Sequence, residues 1–164
     1  MKTSRVSLAA SAPELYRIVA SLERKSSEHI AAAGIALGFS HLLRLRASQL
    51  NGCAFCLRMH AHEALAAGEP QARLNVLPAW RETGYYTEKE RAALALIEAV
   101  TLIADGQVPD PIYDQAARLL SPEEISAVEW LGVVINIWNR IAIPSRTEVG
   151  PDTESGVGLG PAEA

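Results

Sequence analysis

The chain has 164 residues, of which 49% are hydrophobic and 21% are charged, with 15 Lys and Arg against 19 Asp and Glu. A domain of this length buries roughly 70% of the surface that its unfolded chain exposes, so it needs no disulfide framework to fold. The net charge of −4 argues against a nucleic acid or an anionic membrane as the main partner. No apolar run reaches the roughly 20 residues of a membrane-spanning helix. We therefore expect a soluble, cytoplasmic protein that acts on a small molecule or on another protein.

Helix start signals recur along the chain. A hydroxyl residue stands three positions before a glutamate, as in the capping box of a helix N-terminus, at residues 11–14, 87–90 and 121–124. Asp110 followed by Pro111 is a further start signal, because proline is favoured at the first helical position. Gly68 and Gly84 stand where helices are expected to end.

Between these signals the apolar residues recur at helical spacing, and no stretch alternates with a period of two. The sequence therefore predicts an all-α fold. The predicted helices cover residues 12–24, 27–37, 39–50, 53–67, 70–81, 88–104, 111–120 and 122–141. We expect one domain over residues 1–146, followed by a flexible tail at 147–164 that is rich in glycine, proline and acidic residues.

The two cysteines of the chain lie three positions apart, at Cys53 and Cys56. Asn51 and Gly52 form a turn signal, so a new helix is expected to begin at Cys53. On that helix the two cysteines are about 60° apart, and His60 falls between them on the same face. A helix N-terminus favours the reactive thiolate, and His60 can accept or relay the proton of the thiol. The spacing therefore indicates a redox site made of these three residues.

Two other interpretations of the cysteine segment are open. A zinc site needs converging ligands, but His60 and His62 are about 200° apart on a helix and cannot both turn toward the cysteines. We therefore expect no metal ion, and no feature of the sequence indicates an organic cofactor. In the second interpretation, the cysteines are small buried hydrophobic residues and His60 is a structural histidine of the core.

A proton relay needs a second group near His60. If the helices on either side of the turn form an antiparallel hairpin, His41 lies within about one turn of His60. His41 is therefore a candidate partner, although an exposed or capping role fits it equally well. Glu63 lies one turn beyond His60, and Glu28 lies in the preceding helix. For both glutamates we expect a solvated surface role.

The run LRASQLNGCAFC at residues 45–56, followed by Met59 and His60, resembles the core motif of the alkyl hydroperoxidase D-like (AhpD-like) branch of the carboxymuconolactone decarboxylase superfamily. Further blocks of the same kind follow at residues 67–69, 78–82, 90–94 and 136–140. A single CxxC would be weak evidence, but these blocks in this order are a specific signal over about residues 13–143. The resemblance implies an all-helical AhpD-like domain with the CxxC at a helix N-terminus, assembled into trimers or hexamers.

The resemblance also implies a peroxidase that cycles its CxxC between dithiol and disulfide, with a hydroperoxide as substrate and a dithiol as electron donor. In this scheme Cys56 attacks the peroxide, Cys53 resolves the intermediate and His60 relays the proton. The family usually has a glutamate twelve residues before the first cysteine, and this chain has His41 there. Either His41 takes over the relay, another acid such as Glu28 or Glu63 replaces the glutamate, or the activity is weak.

Other functions remain compatible with the sequence. The CxxC can act on disulfides with little peroxidase activity, and the helical domain can be an oligomerisation or binding module with inert cysteines. Lactone decarboxylation is a further alternative within the superfamily, although that branch generally lacks the CxxC. Peroxide consumption and thiol titration distinguish these alternatives, because inert buried thiols react slowly whereas a thiolate of low pKa alkylates fast.

Overall fold

The computed structural model describes residues 5–150, which fold into helices joined by short turns, with no strand among them. A 3₁₀ helix, Leu77–Glu82, lies between α5 and α6. The α-helices are α1 Leu8–Ser11, α2 Pro13–Ala32, α3 Leu37–Asn51, α4 Ala54–Ala66, α5 Gln71–Val76, α6 Glu88–Thr101, α7 Asp110–Leu119 and α8 Pro122–Ser145. The predicted all-α fold is confirmed. Within the described residues, no helix is both long and apolar enough to cross a membrane.

Three helices, α3, α6 and α8, supply most of the core. Complete burial of one aliphatic side chain stabilises a fold by about 1.5–3 kcal/mol, so these helices hold the domain together. Their largest fully buried side chains are Leu42 and Leu43 of α3, Leu94, Leu96 and Ile97 of α6, and Val128, Leu131, Val134 and Ile135 of α8.

Two of the three predicted capping boxes are present. Thr87 caps α6 and Ser121 caps α8, each accepting a bond from the backbone amide of the glutamate three residues on, whose carboxylate bonds back to the cap. The third, at Ser11, is wrong, because Ser11 ends the short helix α1 and Ala12 precedes α2. Pro13 explains the break, since a proline disfavours helical backbone in the residue before it. Asp110 is likewise the first residue of α7 rather than its cap.

The predicted helices 12–24 and 27–37 are wrong as separate elements, because α2 runs through the expected break. The hydroxyl of Ser27 lies beside the helix and accepts a bond of 3.0 Å from Arg44 of α3, so it does not compete for the backbone. The helix ends before Gly34, whose φ of +79° suits a glycine.

The predicted helix 70–81 is also wrong in its second half, which forms the 3₁₀ helix. Pro78 has no backbone N–H to continue the α-helical ladder, and Ala79 leaves the helical region with φ −116° and ψ 31°. At the other end of the chain, α8 continues to Ser145, beyond the predicted end at 141. Residues 147–150 of the predicted tail lie outside any helix, and residues 151–164 lie outside the described part of the chain.

A buried carboxylate joins α3, α6 and the 3₁₀ helix. Glu98 accepts hydrogen bonds from Arg46 Nε at 2.6 Å and Trp80 Nε1 at 2.8 Å, and it pairs with Arg81 at 2.6 Å. Burial alone would raise the pKa of Glu98, but the bonds from these three side chains lower it below its usual value. Glu98 is therefore a charged, fully partnered group inside the helical domain.

Asparagines tie the end of α3 to α8. Asn51 Nδ2 lies 2.7 Å from Asn139 Oδ1 and 3.0 Å from Asn136 Oδ1, while the amide of Asn139 donates to Ser48 Oγ at 3.2 Å. Asn139 is completely buried. These bonds anchor the turn that leads into α4, because Asn51 is the last residue of α3.

Gly132 of α8 faces α6 at close range. A Cβ added at Gly132 would lie 2.8 Å from Val100 Cγ1 and 2.9 Å from Ile97 Cδ1, closer than real Cβ contacts. We predict that Gly132→Val lowers the free energy of unfolding by about 1–3 kcal/mol, because overpacking forces the two helices apart. Chemical denaturation followed by circular dichroism measures the change.

Gly84→Ala is the matched control, since a Cβ there meets no atom within 4 Å. Its free energy of unfolding should stay within about 0.5 kcal/mol of the unaltered protein. A Gly132→Val protein as stable as this control would contradict the close approach of α6 and α8.

Candidate functional site

The turn between α3 and α4 places the first cysteine. Gly52 has a left-handed backbone with φ 69°, and its amide bonds to the carbonyls of Ser48 and Gln49. The amide of Cys53 then bonds to the Ser48 carbonyl at 3.1 Å, which closes the end of α3. Cys53 is the N-cap of α4, so the CxxC lies at a helix N-terminus as predicted.

Cys53 and Cys56 form a disulfide, with their Cα atoms 5.4 Å apart. The backbone amide of Cys56 donates a hydrogen bond of 3.3 Å to Cys53 Sγ, which thus takes the place of a capping oxygen. The two residues are only 1% and 2% exposed. The structure therefore shows the oxidised form of the pair, protected from solvent.

His60 lies one turn beyond Cys56, and both belong to the buried face of α4. Its Nδ1 is 2.7 Å from Glu63 Oε2. Burial lowers the pKa of His60 below its usual value, although the hydrogen bond and charge of Glu63 act in the opposite direction. The lowered pKa favours the neutral imidazole near neutral pH, a form that is able to accept a proton.

Glu63 is the central acid of the site. The same oxygen, Oε2, is 3.1 Å from Nδ1 of His41. Partial burial would raise the pKa of Glu63, but the contacts with His41 and His60 hold it well below its usual range. The expected surface role of Glu63 is therefore wrong, since its carboxylate bridges two histidines of neighbouring helices.

His41 of α3 completes the cluster. Its ring centroid lies 5.8 Å from that of His60, and its side chain is 15% exposed. Although Nδ1 of His41 is close to Glu63, this nitrogen is buried without a well-aligned hydrogen-bond partner. Glu28, the other acid considered, is exposed and pairs with Lys25 at 2.6 Å. The structure thus brings His41, His60 and Glu63 together and leaves Glu28 outside.

A buried cation lies near this cluster. Arg44 is 3% exposed, and its positive charge acts to lower the pKa of His60. It bonds to Glu23 at 2.9 Å and to Ser40 at 3.0 Å. Arg44 has its own carboxylate partner in α2. The carboxylate of Glu63 therefore interacts with the two histidines and not with Arg44.

The position of Glu63 could have been found from the sequence. It is three residues after His60 on the same helix, a spacing at which side chains meet. The spacing is equally common for solvated pairs, and only the packing of α3 against α4 shows that His41 approaches from the other side.

The helical domain and its CxxC disulfide define an AhpD-like protein. The sequence model of the carboxymuconolactone decarboxylase family matches residues 13–99. The chain belongs to this family, and the resemblance stated from the sequence is confirmed.

Two relatives extend the comparison beyond the matched region. The uncharacterized protein YdfG of Bacillus subtilis strain 168 is 36% identical over 141 residues, which cover 86% of this chain and 93% of YdfG. The crystal structure of ATU0492 from Agrobacterium tumefaciens, a protein of unknown function described as a candidate antioxidant defence protein AhpD, superposes with a TM-score of 0.82. It shares 37% identity, and the match covers 92% of this chain and all of ATU0492.

The contact between Glu63 and His60 should affect the pKa of His60. We predict that Glu63→Gln lowers the pKa of His60 further, because the carboxylate that favours the charged imidazole is lost while the burial remains. NMR titration of the histidine ring protons, in buffer treated with a chelator, measures the change.

Glu28→Gln is the control, since it removes an equal charge from an exposed ion pair. It should leave the His60 titration in place. A His60 pKa that rises in Glu63→Gln, or that moves equally in both variants, would contradict the assigned interaction.

Proposed function

We propose that the protein is a thiol peroxidase that reduces hydroperoxides through a Cys53–Cys56 disulfide cycle. The carrying observation is the arrangement of α4, in which the disulfide opens the helix and buried His60 follows Cys56 by one turn on the same face. Family membership supports the proposal, as does the antioxidant role suggested for ATU0492.

Reduction of the disulfide starts the cycle. A thiolate of the dithiol donor attacks Cys56 Sγ, the S–S bond breaks, and its electron pair goes to Cys53 Sγ. The amide of Cys56 and the positive end of α4 stabilise the Cys53 thiolate. The second donor thiol then displaces Cys56 from the mixed disulfide, so the donor leaves as a disulfide and both cysteines are reduced.

The peroxide step follows at Cys56. Its thiol gives a proton to His60, the thiolate attacks the terminal oxygen of the hydroperoxide, and the O–O bond breaks. The leaving alkoxide takes the proton from His60 and departs as an alcohol, while Cys56 becomes a sulfenic acid. Cys53 then attacks that sulfur, which releases water and restores the disulfide.

Glu63 reduces the cost of the proton transfer, because its hydrogen bond and charge offset part of the effect of burial on His60. When His60 accepts the proton of the thiol it becomes a cation in a buried position, and the carboxylate at 2.7 Å stabilises it. His41, on the other side of Glu63, is the proposed outer member of the relay. In this scheme Glu63 replaces the glutamate that the family usually has at position 41.

The burial of the two sulfurs favours small reaction partners. A disulfide within another folded protein cannot reach residues that are 1% and 2% exposed unless the first turn of α4 opens. A hydroperoxide presents a terminal oxygen on a narrow group and needs far less room. The same argument favours a small dithiol as the electron donor.

The two cysteines should behave differently when each is replaced. Cys56→Ser should abolish peroxide turnover, because the attacking sulfur is gone. Cys53→Ser should consume about one equivalent of peroxide and then accumulate sulfenic acid or its overoxidised products on Cys56. Peroxide consumption assays and mass spectrometry after dimedone trapping measure both results.

Treatment of the reduced, unaltered protein with peroxide is the reference experiment. A mass loss of two hydrogen atoms, located at Cys53 and Cys56, is expected, because the peroxide takes two electrons and two protons from the thiols. If the reduced protein keeps its mass, the cysteines are inert and the proposal is wrong. If sulfenic acid is trapped on Cys53 in the Cys56→Ser variant, the two roles are reversed. Turnover of added disulfides without peroxide consumption would instead indicate a thiol–disulfide oxidoreductase.

We also propose that the protein is a homo-oligomer, either a trimer or a hexamer. Trp130 and Val133 are one turn apart on α8, and they are 49% and 43% exposed. Large apolar side chains of this kind are often covered by a second copy of the chain.

Light scattering coupled to gel filtration should therefore give a trimer or a hexamer, and Trp130→Glu should shift the protein toward the monomer. Tyr85→Glu is the control, because Tyr85 is an equally exposed aromatic residue (52%) outside the helices. A monomeric unaltered protein at micromolar concentration would overturn the proposed assembly.

A further inference from the structure

We propose that His41, His60 and Glu63 form a binding site for a divalent transition-metal ion, with zinc as the best-fitting ion. The three side chains offer two imidazole nitrogens and a carboxylate oxygen that all lie within 4.8 Å of one another. Two histidines with one glutamate are a ligand set that zinc accepts, and the fourth position remains for water or another small ligand.

The ligand atoms lie close enough together for one ion to contact all three. Glu63 Oε2 is 2.7 Å from Nδ1 of His60 and 3.1 Å from Nδ1 of His41. A tetrahedral zinc at about 2.0–2.2 Å from each ligand holds neighbouring ligand atoms roughly 3.3–3.6 Å apart. The two separations to Glu63 are shorter than this, and all three ligand atoms lie within 4.8 Å of one another, so the side chains have to move apart by several tenths of an ångström to admit the ion.

One of the three ligand atoms, Nδ1 of His41, lacks a well-aligned hydrogen-bond partner. It is buried, and it lacks this partner despite its proximity to Glu63. A buried polar atom of this kind costs free energy unless something satisfies it. A metal ion would satisfy this nitrogen together with the other two ligand atoms.

The charges around the cluster also permit a cation. Glu63 supplies a negative charge, and the nearby positive charge of Arg44 is balanced by Glu23 at 2.9 Å. Two of the three ligands are imidazole nitrogens, which suit zinc and other transition metals, whereas calcium prefers a shell made of oxygen atoms alone. We therefore expect selectivity for transition metals.

The site differs from the zinc site considered in the sequence analysis. That site would have used both cysteines with His60 and His62, whereas this one uses no sulfur atom. His62 is exposed on the outer surface of α4 and takes no part in the cluster. Metal binding is therefore expected in the disulfide form of the protein, in which no thiolate exists.

Metal binding would have a consequence for the proposed peroxidase. The ion would occupy Nδ1 of His60 and the carboxylate of Glu63, so the proton could no longer pass to this pair. Zinc should then inhibit peroxide turnover. This consequence rests on the proposed function, whereas the binding itself does not.

The test is a titration of the oxidised, chelator-treated protein with Zn²⁺ in competition with a chromophoric chelator. We expect one ion per chain and a loss of affinity of at least about tenfold in His41→Ala and in Glu63→Gln. His62→Ala, which removes an exposed histidine from the same helix, should bind zinc within about twofold of the unaltered protein. Thermal unfolding verifies that each variant is folded, and His41→Gln replaces His41→Ala if the latter is not.

Titration with Co²⁺ reports the ligands directly. Visible d–d bands of a four- or five-coordinate ion, without a thiolate charge-transfer band, are expected in the oxidised protein. The proposal is overturned if no ion binds with one-to-one stoichiometry, or if His41→Ala and Glu63→Gln bind as tightly as the unaltered protein. Both titrations are done without peroxide, so they test metal binding independently of peroxidase activity. Either property can be absent while the other is present.

Discussion

The hydrogen bond between Asn51 and Asn139 is the interaction on which the position of the disulfide depends. Asn139 is completely buried in α8, and Asn51 is the residue at which α3 ends. An unpaired buried amide costs about 1–3 kcal/mol, so the two side chains hold one another in a single arrangement. Gly52 then reverses the chain, and Cys53 follows directly as the cap of α4. The place of the disulfide in the domain is thus set by a contact between helices that contain no cysteine.

The packing of α3 against α4 brings a carboxylate to the site from a different helix than the one that carries it in the family pattern. The family's usual glutamate would lie on α3 at position 41, opposite the cysteine helix. In this chain α3 provides a histidine there, and the carboxylate comes from Glu63 of α4. Because Glu63 stays ionised and contacts both rings, the cluster keeps one negative charge beside His60. Under the proposed mechanism, this carboxylate takes the place of the family's glutamate.

Much of the fold could be predicted from local signals. The spacing of apolar residues gave the helical class, and the caps at Thr87 and Ser121 gave the starts of α6 and α8. The sequence wrongly predicts a cap at Ser11, because Pro13 ends the preceding helix there. It also wrongly divides α2, in which the hydroxyl of Ser27 bonds to Arg44 of α3. Such contacts between helices cannot be predicted from the local sequence pattern.

The candidate site was predictable to the same extent. Cys53, Cys56 and His60 share one helix, so their relation follows from helical geometry alone. The role of Glu63 depends on His41, which belongs to a different helix. An (i, i+3) pair of histidine and glutamate has the same sequence signature on a surface as in a buried site, and only the tertiary packing separates the two.

The candidate site is divided between two helices, and this determines how it changes when α3 and α4 move apart. Cys53, Cys56, His60 and Glu63 all lie on α4 or at its cap, so their mutual distances survive any tilt of that helix as a rigid rod. His41 alone is carried by α3. Heat, pressure or a packing defect that widens the hairpin would therefore detach His41 first, while the thiols and their nearest base remained in register. The arrangement of the four residues of α4 therefore depends on one helix alone, whereas the contact with His41 depends on the packing of two helices.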